Sequence, residues 1–549
     1  MSEAAVAGEA HPYLECVRPL IGRVLSLIDL ETGSPSYGSF DRTWWCWKFT
    51  DFSAPRFQEG AYTLSLLATP PFSGHFHLRR DRLLRGAVAA MEFWTRLQHK
   101  DGSFDEAYPF ERSLAATAFT LFYVGSAFER IRTEIPEFAR REVGDAMFRA
   151  ANWLARSDET HGVLSNHLAV AAAACQLAAD ALDAPQFFGA RDRFLDLIYR
   201  NQDPEEGWMR EYDGADPGYQ SHGLFYLAEI HRRTKLDTLS GALARAIEFQ
   251  AWFAHPDGTM GGEYASRGTK FFFPAAFEIL SDLPGAAALA AHARRCASGC
   301  IGVGPLAMDA WNLFPMVNNY LAAAEAARPI AHADLPWRKP GARATFRRAG
   351  LAIANSGGRI LAAGPGNGGA VKLWEADTGA LIYEDCGYLI ARRAGCAVSQ
   401  GASEFDIEIG EDRVAFRSRA PFRARSGLRF DPWKFGAFRL FMLTLGRLPL
   451  LARAIKQLLV FVLIRKSKID RASLDRSLVF DKSGALTIED RISNSSSAPI
   501  PVARQVAIHM GSARYSGTED FSDPQAPAGP TLADGPGFVR RFVAPPNRR

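Results

Sequence analysis

The chain has 549 residues, 47% of them hydrophobic, which is enough for two or three domains with substantial cores. Its charged fraction of 23% is that of an ordinary folded protein, so a chain too polar to bury a core is excluded. The formal net charge of +4 names no partner, because the basic excess is concentrated late in the chain.

The first ten residues are small and acidic, with no basic flank and no apolar core of a secretory leader. The expectation is a cytosolic, reducing location, in which the seven cysteines stay as thiols. Cys175 sits in an alanine run and reads as a small buried hydrophobe, and Cys296 and Cys300 lack the partners of a zinc site. From Tyr13 to about Arg328 the apolar spacing is helical, as at Leu20, Val24, Leu25 and Ile28, or Leu83, Leu84, Val88 and Met91. Within this region a turn recurs at Asp101-Gly102, His161-Gly162, Glu206-Gly207 and Asp257-Gly258, each followed by an Ala/Leu/Phe-rich run of helical length. A period of about fifty residues predicts helical hairpins carrying functional loops. Such units bury their apolar faces only by stacking into an arc or a ring.

Residues 329–342, with three prolines, read as a linker. Beyond them the pattern changes to short runs such as Leu351-Ala352-Ile353, Val371-Lys372-Leu373-Trp374, Phe405-Asp406-Ile407-Glu408-Ile409 and Leu486-Thr487-Ile488-Glu489, with the period-two alternation of strands. The predicted fold is therefore multidomain α and β: an N-terminal (α/α) toroid over residues 1–335, followed by an antiparallel β-sandwich over 336–549. Residues 417–468 break the strand pattern. They are rich in Arg and Lys, carry Asp431 as the one acid, and hold apolar runs too interrupted to span a bilayer. Two readings stand, a helix packed on the sheet or a helix lying in a membrane interface.

Three loops concentrate residues suited to chemistry. They are Ser165-Asn166-His167, the stretch from Glu206 to Gln220 containing Trp208, Glu211, Tyr212, Asp216 and Tyr219, and the stretch from Gly261 to Arg267 containing Glu263 and Tyr264. Stacked hairpins bring loops about fifty residues apart to one end, where they would share a cleft. Other roles remain open for each: Asn166 suits helix capping, His167 suits packing, and Asp216-Pro217-Gly218 is a good turn.

These loops, on a toroid followed by a β-sandwich, resemble the heparinase II/III-like polysaccharide lyases. The resemblance implies β-elimination on a uronic-acid-containing polysaccharide, without metal or other cofactor. It assigns catalysis to Tyr219, His167, Asn166 and Arg267, with Asn166 and Arg267 neutralising the sugar carboxylate, His167 as a candidate base and Tyr219 as base or acid. Substrate contacts would come from Trp208, Glu211, Tyr212, Asp216, Glu263 and Tyr264. Gln220 follows Tyr219 where such lyases often show a histidine, and His509 is the only histidine offered by the sheet domain. The chemistry needs these residue types: the proton beside a carboxylate is weakly acidic, and a cation or amide must stabilise the charge that develops as it leaves.

The same carboxylates, Glu211, Asp216 and Glu263, would serve a glycoside hydrolase, and the same proton abstraction would serve a uronyl C5-epimerase. A non-catalytic glycan-binding or assembly protein is the remaining reading. The Gly-rich run from Gly364 to Gly369 lacks a phosphate-loop ending, and no dinucleotide fingerprint, zinc motif or nucleophile elbow occurs. Nucleic acid is not an expected partner, since the basic segment is interleaved with aliphatics. The expected partner is an acidic polysaccharide or lipid-linked glycan; on the membrane-interface reading of residues 417–468 it would be met at the inner face of a membrane.

Overall fold

The computed structural model describes residues 11–159, 162–330, 333–393, 395–425, 431–460, 468–493, 497, 499–501 and 538–544. His161 and His509 lie outside the described residues. Among those described, the helices Gly60–Ala68, Leu114–Arg130, Ser165–Leu182, Pro217–Thr234, Ala275–Ile279 and Leu313–Ala326 contact one another in order, and the last returns to the first. This is a closed inner ring. The helices Arg80–Leu97, Glu137–Leu154, Phe188–Asn201, Asp237–Gln250 and Pro284–Ser298 form the outer layer.

Composition explains which helix goes where. Ser165–Leu182 and Leu114–Arg130 are apolar nearly all round and are buried nearly throughout, whereas Arg80–Leu97 and Glu137–Leu154 bury one stripe and expose their charges. The recurrent turn has a mechanical purpose. Gly102 and Gly207 have φ of +97° and +80°, and a Cβ on either would stand 2.2 Å from the carbonyl oxygen of Arg149 or Arg245. Only glycine lets the loop approach the next outer helix so closely. Gln98 Nε2 then bonds the carbonyls of Gly102 and Ala146 at 3.1 and 2.8 Å, and Gln202 Nε2 repeats this with Gly207 and Ala242 at 3.0 and 2.8 Å.

After the toroid come two antiparallel sheets. The five-stranded sheet is a meander of Arg343–Phe346, Leu351–Ser356, Arg359–Gly364, Ala370–Glu375 and Leu381–Asp385. The eight-stranded sheet is centred on Arg413–Arg425 and Ile469–Asp481. Leu361, Val371 and Leu373 of the first sheet meet Phe416, Leu478 and Ile488 of the second, making a sandwich core. The other face of the first sheet, with Ile353, Ile360 and Trp374, joins the toroid's core. Leu351–Ser356 and Arg359–Gly364 are therefore buried on both faces, and the alternation expected at Leu351-Ala352-Ile353 does not appear in its burial.

The basic segment is an excursion from one hairpin. Strands Arg413–Arg425 and Ile469–Asp481 pair with each other, and between them the chain forms helices Pro432–Leu443 and Pro449–Val460. These helices rest on toroid loops rather than on the sheet: Phe438 meets Tyr108 edge-on, Arg439 pairs with Asp51 at 2.9 Å, and Lys456 pairs with Glu111 at 3.4 Å. No described helix is long and apolar enough to cross a membrane.

Candidate active site

A cavity of about 400 Å³ opens where the inner-ring helices begin. Of the sequence-predicted residues, Asn166, His167, Tyr212, Tyr219 and Arg267 line it together. The loops meet because residues 206–217 fold into a small hairpin. Arg210–Glu211 pairs with Gly214–Ala215, and Tyr212 takes a left-handed φ of +57° between them.

That hairpin delivers the Glu211 carboxylate to the start of helix Ser165–Leu182. There it accepts from the Asn166 backbone at 2.9 Å and from Asn166 Nδ2 at 3.0 Å to each oxygen. The unpaired amides of a helix N-terminus favour an anion at this place. Burial nevertheless pushes the Glu211 carboxyl up to about 7, against the opposing pull of Arg267 and of the Asn166 bonds. Arg267 Nη1 stands 3.9 Å from Glu211. Its guanidinium lies 3.8 Å from the ring centroid of Tyr219 and 4.9 Å from that of Tyr212. The sequence Asn166–Glu211–Arg267–Tyr219 is thus one contiguous arrangement drawn from three hairpins.

Asp216 is deeper. It caps helix Pro217–Thr234 by accepting from the Tyr219 backbone at 3.0 Å, and its other oxygen accepts from the Arg267 backbone at 3.0 Å. The Thr269 hydroxyl donates to it as well. This one carboxylate ties two loops into register and lies outside the cavity lining.

Trp208, Glu263 and Tyr264 are placed elsewhere. Trp208 Nε1 donates to Glu206, whose oxygens also accept the backbone amides of Arg348 and Ala349 at the junction with the sheet domain. Glu263 is buried against Lys372 Nζ at 2.7 Å, with Lys270 Nζ at 3.6 Å, and Lys372 and Lys270 together hold its carboxyl down to about 2 despite burial. The Tyr264 hydroxyl is hydrogen-bonded to His255 Nε2 at 2.5 Å, and His255 stacks on Trp374 at 4.3 Å. The Gly261–Arg267 loop is divided: Glu263 and Tyr264 fasten the toroid to the sheet, and Arg267 faces the cavity.

Sequence reasoning missed other lining residues. His222, one helical turn beyond Tyr219, stacks between Phe119 at 5.5 Å and Phe273 at 4.2 Å, and its Nε2 meets the Tyr226 hydroxyl at 2.8 Å. That hydroxyl continues to Tyr123 at 2.9 Å. Burial, reinforced by Arg56 and His167, holds the imidazole well below its usual range, so it is neutral near pH 7. The i, i+3 spacing from Tyr219 was the signal available for it. Arg56 lines the cavity from a loop that carries no repeat motif; its guanidinium lies 4.1 Å from the Phe119 ring centroid and pairs with Glu59 and, at 3.0 Å, with Glu106. His167 Nδ1 is hydrogen-bonded to Glu159 at 2.7 Å, which fixes the ring's orientation. Trp311 and Asn312 close the far wall. Among the described residues no cluster of His, Cys, Asp and Glu suits a metal ion.

No family model matches the sequence, and no curated protein matches it. Solved structures do. A point mutant of the Streptomyces coelicolor A3 chondroitin AC lyase superposes with a TM-score of 0.50 at 10% identity, over 90% of this chain and 67% of that one. Heparinase III gives 0.48 at 11% identity, over 90% and 72% of the two chains. The Streptomyces lyase in complex with chondroitin sulphate gives 0.48 at 11% identity, over 91% and 77%. The likeness is one of fold: this chain is a helical toroid followed by an antiparallel β-sandwich, the architecture also found in the chondroitin AC lyase.

Proposed function

We propose that the cavity binds an acidic sugar of a polysaccharide and cleaves the chain by β-elimination. The observation that carries this reading is the grouping of a tyrosine, a neutral histidine and a buried guanidinium on one wall: Tyr219, His222 and Arg267. Arg267 is the group assigned to the sugar carboxylate, because its charge compensates the negative charge that builds up as the neighbouring C–H bond breaks. Asn166, whose amide nitrogen is engaged by Glu211, acts through that carboxylate by holding it beside Arg267.

In this scheme neutral His222 accepts the proton from the carbon next to the carboxylate. The electron pair of that C–H bond becomes the new carbon–carbon double bond. The bond from the next carbon to the glycosidic oxygen breaks, and the Tyr219 hydroxyl supplies the proton that the departing oxygen takes up. No water is consumed. Tyr226 and Tyr123, bonded in series behind His222, fix its ring. The carboxylates that a hydrolase would need are less suitably placed, since Glu106 is taken by Arg56 and Ser113, and Glu211 lies behind Asn166. The (α/α) toroid lyases supply the precedent in fold; the chondroitin sulphate complex concerns that relative alone.

The test is ultraviolet absorbance of the unsaturated uronyl end, followed while the protein is incubated with a panel of uronic-acid polymers. An absorbance rise that Tyr219→Phe abolishes, with polymer binding retained, is the expected result. Solvent deuterium entering uncleaved polymer would mark an epimerase instead, and binding without either change would mark a glycan-binding protein.

A further inference from the structure

The helical hairpin formed by Pro432–Leu443 and Pro449–Val460 has no counterpart in the chemistry above, yet it holds much of the exposed apolar surface of the described chain. Trp433 is 88% exposed and Leu450 is 82% exposed, and Phe435, Leu440, Leu445 and Leu448 are exposed beside them. Soluble surfaces seldom gather large apolar side chains so densely, and a contiguous patch of this kind marks an interaction site.

Charge decides what covers it. Over residues 431–460 the chain carries Lys434, Arg439, Arg447, Arg453 and Lys456 against Asp431 alone. Two of these cations anchor the hairpin to the toroid, Arg439 through Asp51 and Lys456 through Glu111. Arg453 is exposed among the apolar side chains, Lys434 is exposed while paired with Asp431 at 2.6 Å, and Arg447 is exposed with its guanidinium against Phe110. A second copy of the chain would set this cationic face against an identical one. An anionic bilayer instead offers acyl chains to the leucines and tryptophan, and headgroup phosphates to the cations. Each helix has twelve residues, too short to span a bilayer and suited to lying in its interface.

We infer that this hairpin seats the protein on a bilayer surface carrying anionic headgroups. The seat lies beside the cavity. Arg112 Nη2 bonds the Arg447 carbonyl at 3.0 Å, Arg447 lies over Phe110, and Glu111 accepts from the backbone of Glu106 and Ala107 in the loop whose Glu106 lines the cavity. A glycan carried on a lipid would then reach the cleft from the surface on which the protein rests. The inference is independent of the reaction, since it stands on the exposed face alone.

The test is flotation of the full chain with vesicles of phosphatidylcholine alone or mixed with phosphatidylglycerol. Expected is recovery with the anionic vesicles at least roughly tenfold above that with neutral ones, falling as salt is raised. Trp433→Ser combined with Leu450→Ser, and separately Lys434→Glu combined with Arg453→Glu, should each lower recovery by roughly tenfold with an unchanged circular dichroism spectrum. Wild-type protein that stays with the soluble fraction in both mixtures overturns the inference. So does equal flotation of the variants, or a concentration-dependent dimer that Trp433→Ser dissolves while no vesicle binding is seen.

Discussion

Glu211 offers the sharpest physical handle on the site, because its carboxyl is wholly buried yet poised near neutrality. Its ordinary value of 4.5 rises to about 7 in the folded chain, so folded protein holds a proton there that unfolded protein has released. Between those values the folded state binds more protons than the unfolded one, and stability falls as pH rises; above about 7 both states are ionised and the slope ends. Between pH 5 and pH 8 this shift corresponds to a loss of roughly 2–3 kcal/mol attributable to this side chain. Glu211→Gln keeps the size and an acceptor for Asn166 but removes the titration. Urea unfolding of wild type and variant at pH 5 and pH 8 isolates the effect of this side chain, since Glu59, also pushed up to about 7, contributes to both proteins and cancels. The variant should gain roughly 2–3 kcal/mol on wild type across that interval. Parallel stability profiles would refute the buried, Asn166-bound carboxyl described here.

Arg267→Lys keeps a positive charge but loses the flat guanidinium between Tyr212 and Tyr219, and should lower kcat/KM for an acidic polymer by tenfold or more, on the order of 1.4 kcal/mol; steady-state kinetics with unchanged circular dichroism check it. Lys372→Met leaves the buried Glu263 carboxylate with Lys270 alone, at 3.6 Å, and should cost about 3 kcal/mol, read as a lowered urea midpoint. The same pair makes the seam between toroid and sheet acid-labile. The carboxyl of Glu263, held to about 2, contributes stability that is complete above 4.5 and is lost as pH falls through 2, so near-ultraviolet circular dichroism should report loosening there before Lys372→Met is introduced and less difference afterwards. Gly207→Ala forces a Cβ to within 2.2 Å of the Arg245 carbonyl at a φ of +80°, and a fall in thermal midpoint with little change in KM is expected.

Much of the architecture was legible because each level of the sequence agreed with the next. The recurrent glycine turns marked four loops, and the change from helical to alternating spacing separated toroid from sheets. Closure of the ring was not legible. The hairpins at either end, around Gly60–Ala68 and Leu313–Ala326, lack the turn motif, and closure is a property of packing between residues some 250 apart, such as Thr63 and Asn318, whose side chains bond at 2.6 Å. Within the site, spacing placed Asn166, Tyr219 and Arg267 in one cavity. It could not separate residues of one loop that face opposite ways, which is why Glu263 and Tyr264 lie at the seam and Arg267 in the cleft. Burial of the first sheet on both faces hid Lys372 in the same manner, since the sheet's inner partner is the toroid and only the folded chain supplies it.

β-Elimination breaks the glycosidic bond without consuming water. Cleavage of an acidic polysaccharide in water enriched with heavy oxygen, with the fragments weighed by mass spectrometry, tests it most directly. β-Elimination yields unlabelled fragments, one end bearing an unsaturated sugar lighter by the mass of one water. Fragments that carry the heavy oxygen at a saturated reducing end would contradict it and assign the cleft to hydrolysis.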